Sequence, residues 1–83
     1  MNRAFLRVEV GPGMFSSEKT VSFRVNGTRY TLIVDSSDVV DNVIQVVVLE
    51  RKRDHAIVDL PRETFTTGNR IRVPLELLAD RAD

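Results

Sequence analysis

The segment Val21-Ser22-Phe23-Arg24-Val25, followed by Asn26-Gly27 and then Thr28-Arg29-Tyr30-Thr31-Leu32-Ile33-Val34, constrains the fold more than any other part of this chain. Asn-Gly suits a type I′ turn, because both central residues of that turn need positive φ. A two-residue loop then fixes the register: Val25 opposes Thr28, Phe23 opposes Tyr30 and Val21 opposes Leu32. Val21, Phe23, Val25, Tyr30, Leu32 and Val34 fall on one face, and Ser22, Arg24, Arg29 and Thr31 on the other. A slip of one residue would exchange the faces and bury arginine.

The rest of the chain reads in the same way. It has 13 Val, 4 Ile and 6 Thr among 83 residues, and such β-branched side chains suit a pleated surface better than a helix. Leu6, Val8 and Val10 alternate with Phe5, Arg7 and Glu9 as a strand. Gly11-Pro12-Gly13 ends it, and 14–19 forms a loop carrying Phe15. The acidic stretch 35–42 reads as a turn in which Ser37 caps a single helical turn with Val39 and Val40 tucked beneath. The run 43–49 is nearly all apolar, the mark of a strand covered on both faces. Arg51-Lys52-Arg53-Asp54 connects it to a strand from His55 to Leu60, closed by Pro61. Ile71 and Val73 alternate with Arg70 and Arg72. Pro74 stops that ladder and starts a helical turn, which places Leu75 and Leu78 on one side. The expectation is an all-β chain, one domain over 1–83. It is a small barrel or curled antiparallel sheet of five to six strands with a short C-terminal helical turn, because small all-β chains protect their edges by curling closed.

Gly68, Val73-Pro74 and Leu78 have the spacing with which SH3-like small barrels enter their last strand and closing turn. Over residues 68–78 the chain resembles that family at the level of fold. It has no Trp, and lacks the aromatic-acidic motif and tyrosine pair of a proline-peptide groove. The resemblance therefore implies the barrel and not recognition of proline-rich peptides.

Several function classes lose support. With no Cys, the chain has no disulfide framework, thiolate metal site or thiol nucleophile. Twelve basic and twelve acidic residues cancel, which argues against a protein that simply coats nucleic acid or acidic lipid. Arg3, Arg7 and Glu9 interrupt the apolar residues of 1–10, so no secretory signal is expected there. No stretch approaches the roughly twenty apolar residues of a membrane span, and a cytoplasmic location is expected. His55 is the single histidine, unable to form a two-histidine metal site. As neighbours in a strand, Asp54 and His55 would point to opposite faces, leaving His55 as a surface residue at a hairpin end. Asp35, Asp38 and Asp41 could share one side of a helical turn and hold Ca²⁺ or Mg²⁺ weakly. They lack the glycine and closing glutamate of a calcium loop, so a solvated acidic turn is preferred. Ser16-Ser17 lacks a nucleophile pattern, and Gly11-Pro12-Gly13 lacks the ending of a phosphate loop. No enzyme activity, metal or cofactor is expected.

Two features point to binding instead. Arg24 and Arg29 come out as direct cross-strand neighbours, a like-charge pair costing roughly 0.2–1 kcal/mol unless offset. With Arg51, Lys52, Arg53, Arg70 and Arg72 they make a candidate basic face. The second feature is the apolar strand 43–49: Ile44, Val46 and Val48 are either covered by a second chain, as a self-association strand, or covered within the monomer by the closing helical turn and the Phe65 loop. The sequence thus reads as a non-enzymatic protein-interaction or assembly module, with a protein partner or homo-oligomer. The alternative is a small nucleic-acid-binding barrel using the basic hairpin face. Charge is unevenly spread: residues 1–34 carry five basic and two acidic groups, and residues 35–41 carry three acidic and none basic.

Overall fold

The computed structural model describes residues 2–79, and it is all-β, with antiparallel sheets and two short 3₁₀ turns. The hairpin forms in the register that its turn dictates. β3 (Glu18–Val25) and β4 (Thr28–Asp35) pair with Val25 opposite Thr28, Phe23 opposite Tyr30 and Val21 opposite Leu32. Asn26 and Gly27 have φ of 51° and 82°, the left-handed values a type I′ turn requires. Phe23 and Tyr30 stack with ring centroids 5.6 Å apart.

The N-terminal strand divides where the two sheets meet. β1 (Asn2–Arg7) pairs with β6 (Val43–Arg51), while β2 (Glu9–Pro12) pairs with β3. Val8 sits at the bend, its N–H donating to the Asn42 carbonyl at 2.9 Å. β2, β3 and β4 form one sheet. The other follows the order β8 (Arg70–Pro74), β7 (His55–Asp59), β6, β1, β9 (Leu78–Ala79), with β5 (Val39–Val40) also on β6.

A second tight hairpin joins β5 to β6. Val40 lies opposite Val43, and Asp41 and Asn42 both have positive φ, 51° and 62°. The acidic stretch thus ends in a two-residue turn of the same kind as Asn26-Gly27. The 3₁₀ turn before it covers Ser36–Asp38, and the residue at its N-cap is Asp35, with no side-chain capping bond, rather than Ser37. Val39 packs on the core, but Val40 is exposed.

Between the sheets lies the core. Ala4, Leu6, Ile44, Val46, Val48, Ala56, Val58, Ile71, Val73 and Leu78 from the larger sheet cluster with Val21, Phe23, Leu32 and Val34 from the hairpin. Ile44, Val46 and Val48 are therefore covered within this chain, at 0%, 1% and 6% exposure. The pleat explains the correction. These residues share the inner face of the larger sheet, and the hairpin's apolar side supplies the cover. Phe65 does not, being 66% exposed. On the other face of β6, Val47 and Leu49 are half-buried and Gln45 is exposed. A second chain could not reach Ile44, Val46 and Val48 without parting the sheets.

The connection from β7 to β8 is ordered by its own polar groups. Leu60 and Asn69 exchange bonds across its neck: Leu60 N–H to Asn69 O at 2.7 Å and Asn69 Nδ2 to Leu60 O at 3.3 Å. Inside, buried Thr64 accepts from the Thr67 N–H at 2.9 Å and donates to the Thr67 carbonyl at 2.6 Å. Phe65 N–H donates to Thr31 O at 2.9 Å, docking the loop on the outer edge of β4.

Candidate functional site

The tip of the β3–β4 hairpin and the β6–β7 turn come together with β8. Val25 and Asn26 from the tip, Asp54 and His55 from the turn, and Arg72 and Pro74 from β8 line a cleft of about 220 Å³. Alternation on β8 makes this possible: Ile71 and Val73 point inward and leave Arg70 and Arg72 outside. Arg72 lies opposite Ile57, and Pro74 opposite His55.

The β6–β7 turn is closed by Lys52 N–H donating to the His55 carbonyl at 2.8 Å. β7 begins at His55, so Asp54 belongs to the turn and does not obey strand alternation. Its carboxylate folds back on the imidazole, with Oδ1 2.7 Å from Nδ1. Asp54 and His55 therefore meet, where alternation alone would hold them apart. This hydrogen bond is the first cause holding the Asp54 carboxyl below the usual carboxylate range. Asp54 oriented on Nδ1 leaves Nε2 of His55 as its second polar atom. Among the residues lining the cleft, Arg72 and Asn26 carry N–H donors, Asp54 brings a carboxylate, and a neutral His55 that donates Nδ1–H to Asp54 has an acceptor at Nε2; no hydroxyl nucleophile lines it. The Arg72 and Asn26 donors can hold a carboxylate or another oxyanion. The sequence signal for it was an Asp-His pair at the junction of turn and strand, legible only once the strand start is known.

The structure distributes the basic residues unevenly. Arg24 and Arg29 are cross-strand partners beside the hairpin tip. Arg29 is occupied: Nη2 donates to Ser22 Oγ at 2.8 Å and lies 3.4 Å from Glu9 Oε2. That contact explains why Ser22, on the polar side of the hairpin, is buried. Lys52 is paired to Glu50 at 2.6 Å, and Arg70 grips Asp59 with two bonds of 2.9 and 3.3 Å. These contacts depress the Glu50 and Asp59 carboxyls, chiefly through the hydrogen bonds from Lys52 and Arg70. Among the described residues Arg24, Arg51, Arg53 and Arg72 take part in no salt bridge. Arg51 and Arg53 flank Lys52 in the segment leading to Asp54, and Arg24 adjoins the tip. Arg70 lies farther along β8 and does not line the cleft.

Arg24 also borders a second hollow, of about 320 Å³, where β2 leaves the side of β3. Arg7, Val8, Glu9, Phe23 and Leu77 line it too. Arg7 is committed there to backbone, donating to the carbonyls of Glu76 at 2.7 Å and Leu78 at 3.2 Å. It ties the second 3₁₀ turn (Leu75–Leu77) to the end of β1.

Asp35, Asp38 and Asp41 do not share a side of one helical turn. Asp35 faces Arg62 at 3.4 Å, Asp38 ends the 3₁₀ turn and Asp41 opens the β5–β6 turn. Among the described residues no three His, Cys, Asp or Glu side chains are grouped to hold a metal ion. None of the helical segments there is long and apolar enough to cross a membrane. No family model, curated protein or solved structure matches this chain.

Proposed function

We propose that this chain is an SH3-like small barrel serving as a non-enzymatic protein-interaction module, and that its basic end recognises an acidic segment of a partner protein. The observation that carries the reading is the convergence of the hairpin tip, the β6–β7 turn and Arg72 around one cleft. Arg24 adjoins the hairpin tip in sequence, Arg51 and Arg53 lie in the segment leading to Asp54, and none of the three takes part in a salt bridge among the described residues. Arginine presents planar donors that match a carboxylate in pairs. Uncompensated charge at one end also speeds encounter with an acidic partner.

The aromatic side chains favour a protein over a nucleic acid. Binding to single strands relies on exposed rings on which bases stack, whereas Phe23 and Tyr30 beside the basic end stack on each other and pack with the core. Exposed Phe15 and Phe65 lie on the β2–β3 loop and the β7–β8 loop, away from the cleft lining.

Fluorescence anisotropy with a labelled Glu/Leu peptide and a mixed-sequence single-stranded oligonucleotide tests the proposal. Peptide binding should weaken as salt rises, and the double variant Arg53→Glu/Arg72→Glu should lower affinity at least about tenfold, equal to roughly 1.4 kcal/mol. Equal affinity in that variant overturns the reading. Tighter binding of the oligonucleotide than of the peptide at low salt replaces it with the nucleic-acid alternative.

A further inference from the structure

Four large apolar side chains stand exposed among the described residues: Met14 at 84%, Phe15 at 64%, Phe65 at 66% and Val40 at 52%. They belong to three segments: contacts tie the β2–β3 loop to the end of β4 and lay the β7–β8 loop along β4, and the chain leaving β4 carries Val40. Ser36 N–H donates to the Ser17 carbonyl at 2.8 Å, fastening the loop that bears Met14 and Phe15. Arg62 reaches Asp35 at 3.4 Å, and Phe65 N–H bonds Thr31 O at 2.9 Å, laying the β7–β8 loop along β4. Val40 follows the 3₁₀ turn that starts at Ser36. Grouped apolar exposure of this kind marks an interaction surface more often than scattered single residues do.

The same segments are acidic. Glu18, Asp35, Asp38, Asp41 and Glu63 lie on them against Lys19 and Arg62 alone. We propose that they dock a basic amphipathic segment of a partner protein, whose apolar side chains cover Phe15 and Phe65 and whose Lys or Arg residues meet the carboxylates. Charge selects this occupant. A symmetric pair of copies would bring the same patch against itself, acid facing acid. An anionic lipid surface would be repelled for the same reason. The surface is separate from the basic end, and the two readings stand or fall separately.

Selection of a random-peptide phage library on the folded protein is the test, with Phe15→Ser/Phe65→Ser and Asp38→Lys/Glu63→Lys as comparison baits. All four positions are exposed, so the variants retain the core, which a thermal melt verifies. The expected result is enrichment of peptides in which aromatic or aliphatic residues alternate with Lys and Arg. Their synthetic forms should bind either variant at least about tenfold more weakly and bind Arg53→Glu/Arg72→Glu as well as the parent. Failure to enrich such basic peptides, or unchanged affinity of the enriched peptides for both variants, would overturn the proposal. So would a dimer in sedimentation equilibrium that Phe15→Ser/Phe65→Ser abolishes.

Discussion

At the scale of single residues, the loops owe their shapes to a few atoms. A Cβ on Gly13 would lie 2.6 Å from the backbone oxygen of Glu18, whereas one on Gly68 would meet nothing within 4 Å. Gly13→Ala should therefore cost about 1–3 kcal/mol, as overpacking does, and Gly68→Ala should leave the thermal midpoint nearly unchanged. Gly68, part of the spacing that resembles an SH3-like tail, is thus not demanded by local geometry. Thr64 is the polar centre of the β7–β8 loop, 7% exposed. Thr64→Val keeps its shape but orphans the Thr67 N–H, at a cost of about 1–3 kcal/mol in urea unfolding. The same change at exposed Thr66 is the control and should be near neutral. What the sequence hid at this scale was contact across a boundary. Asp54 and His55 touch because one ends a turn and the other begins a strand, and no alternation rule applies between them.

Among the elements, the β3–β4 hairpin was legible throughout, since Asn26-Gly27 fixes both turn type and register. The β5–β6 turn was harder to read because Asp41-Asn42 enters the left-handed region without glycine. Asp and Asn tolerate that region better than most residues, yet still bear some strain. Replacing the pair by Asn-Gly (Asp41→Asn/Asn42→Gly) should raise stability by a few tenths to about 1 kcal/mol. A thermal midpoint below that of the parent would contradict the turn assignment. The apolar run of β6 reads as a strand covered on both faces, whereas only its inner face is fully covered, with Val47 and Leu49 half-buried and Gln45 exposed on the other; the identity of that cover was not local information. Which sheet faces Ile44, Val46 and Val48 depends on β1 bending at Val8 and carrying the chain into the second sheet. The parity of β6 can be tested directly: Val46→Asp should abolish cooperative unfolding by burying a charge, while Val47→Asp should leave a folded protein.

For the whole molecule, the neutral sum of charge conceals an uneven distribution. Arg70 and Asp59 pair between β8 and β7, and Lys52 pairs with Glu50 where β6 leads into its turn. Among the described residues Arg24, Arg51, Arg53 and Arg72, on β3, β8, the end of β6 and the turn after it, take part in no salt bridge, while Asp35, Asp38 and Asp41 follow one another from the end of β4. This unevenness was partly visible in the segmental charges of residues 1–34 and 35–41. The cleft was not, because it joins residues from near 25, 54 and 72 that only the sheet order brings together. Asp54, Glu50 and Asp59 all have depressed carboxyls in the folded state. Each stabilises the fold above the unfolded-state value near ~4, and that contribution is lost as pH falls through the folded value. Urea midpoints should therefore hold from neutral pH to about 5 and decline below about 4. High salt should blunt the decline, because these pairs are exposed.

The proposed acidic partner occupies the cleft between the hairpin tip and the β6–β7 turn. The most direct measurement follows backbone amide chemical shifts while a Glu/Leu peptide is titrated in at low salt. Saturable shifts at Asn26, Asp54, His55 and Arg72, reversed by added salt, are the predicted result. Absence of shifts, or shifts confined to the corner around Asp35 and Asp38, would contradict it.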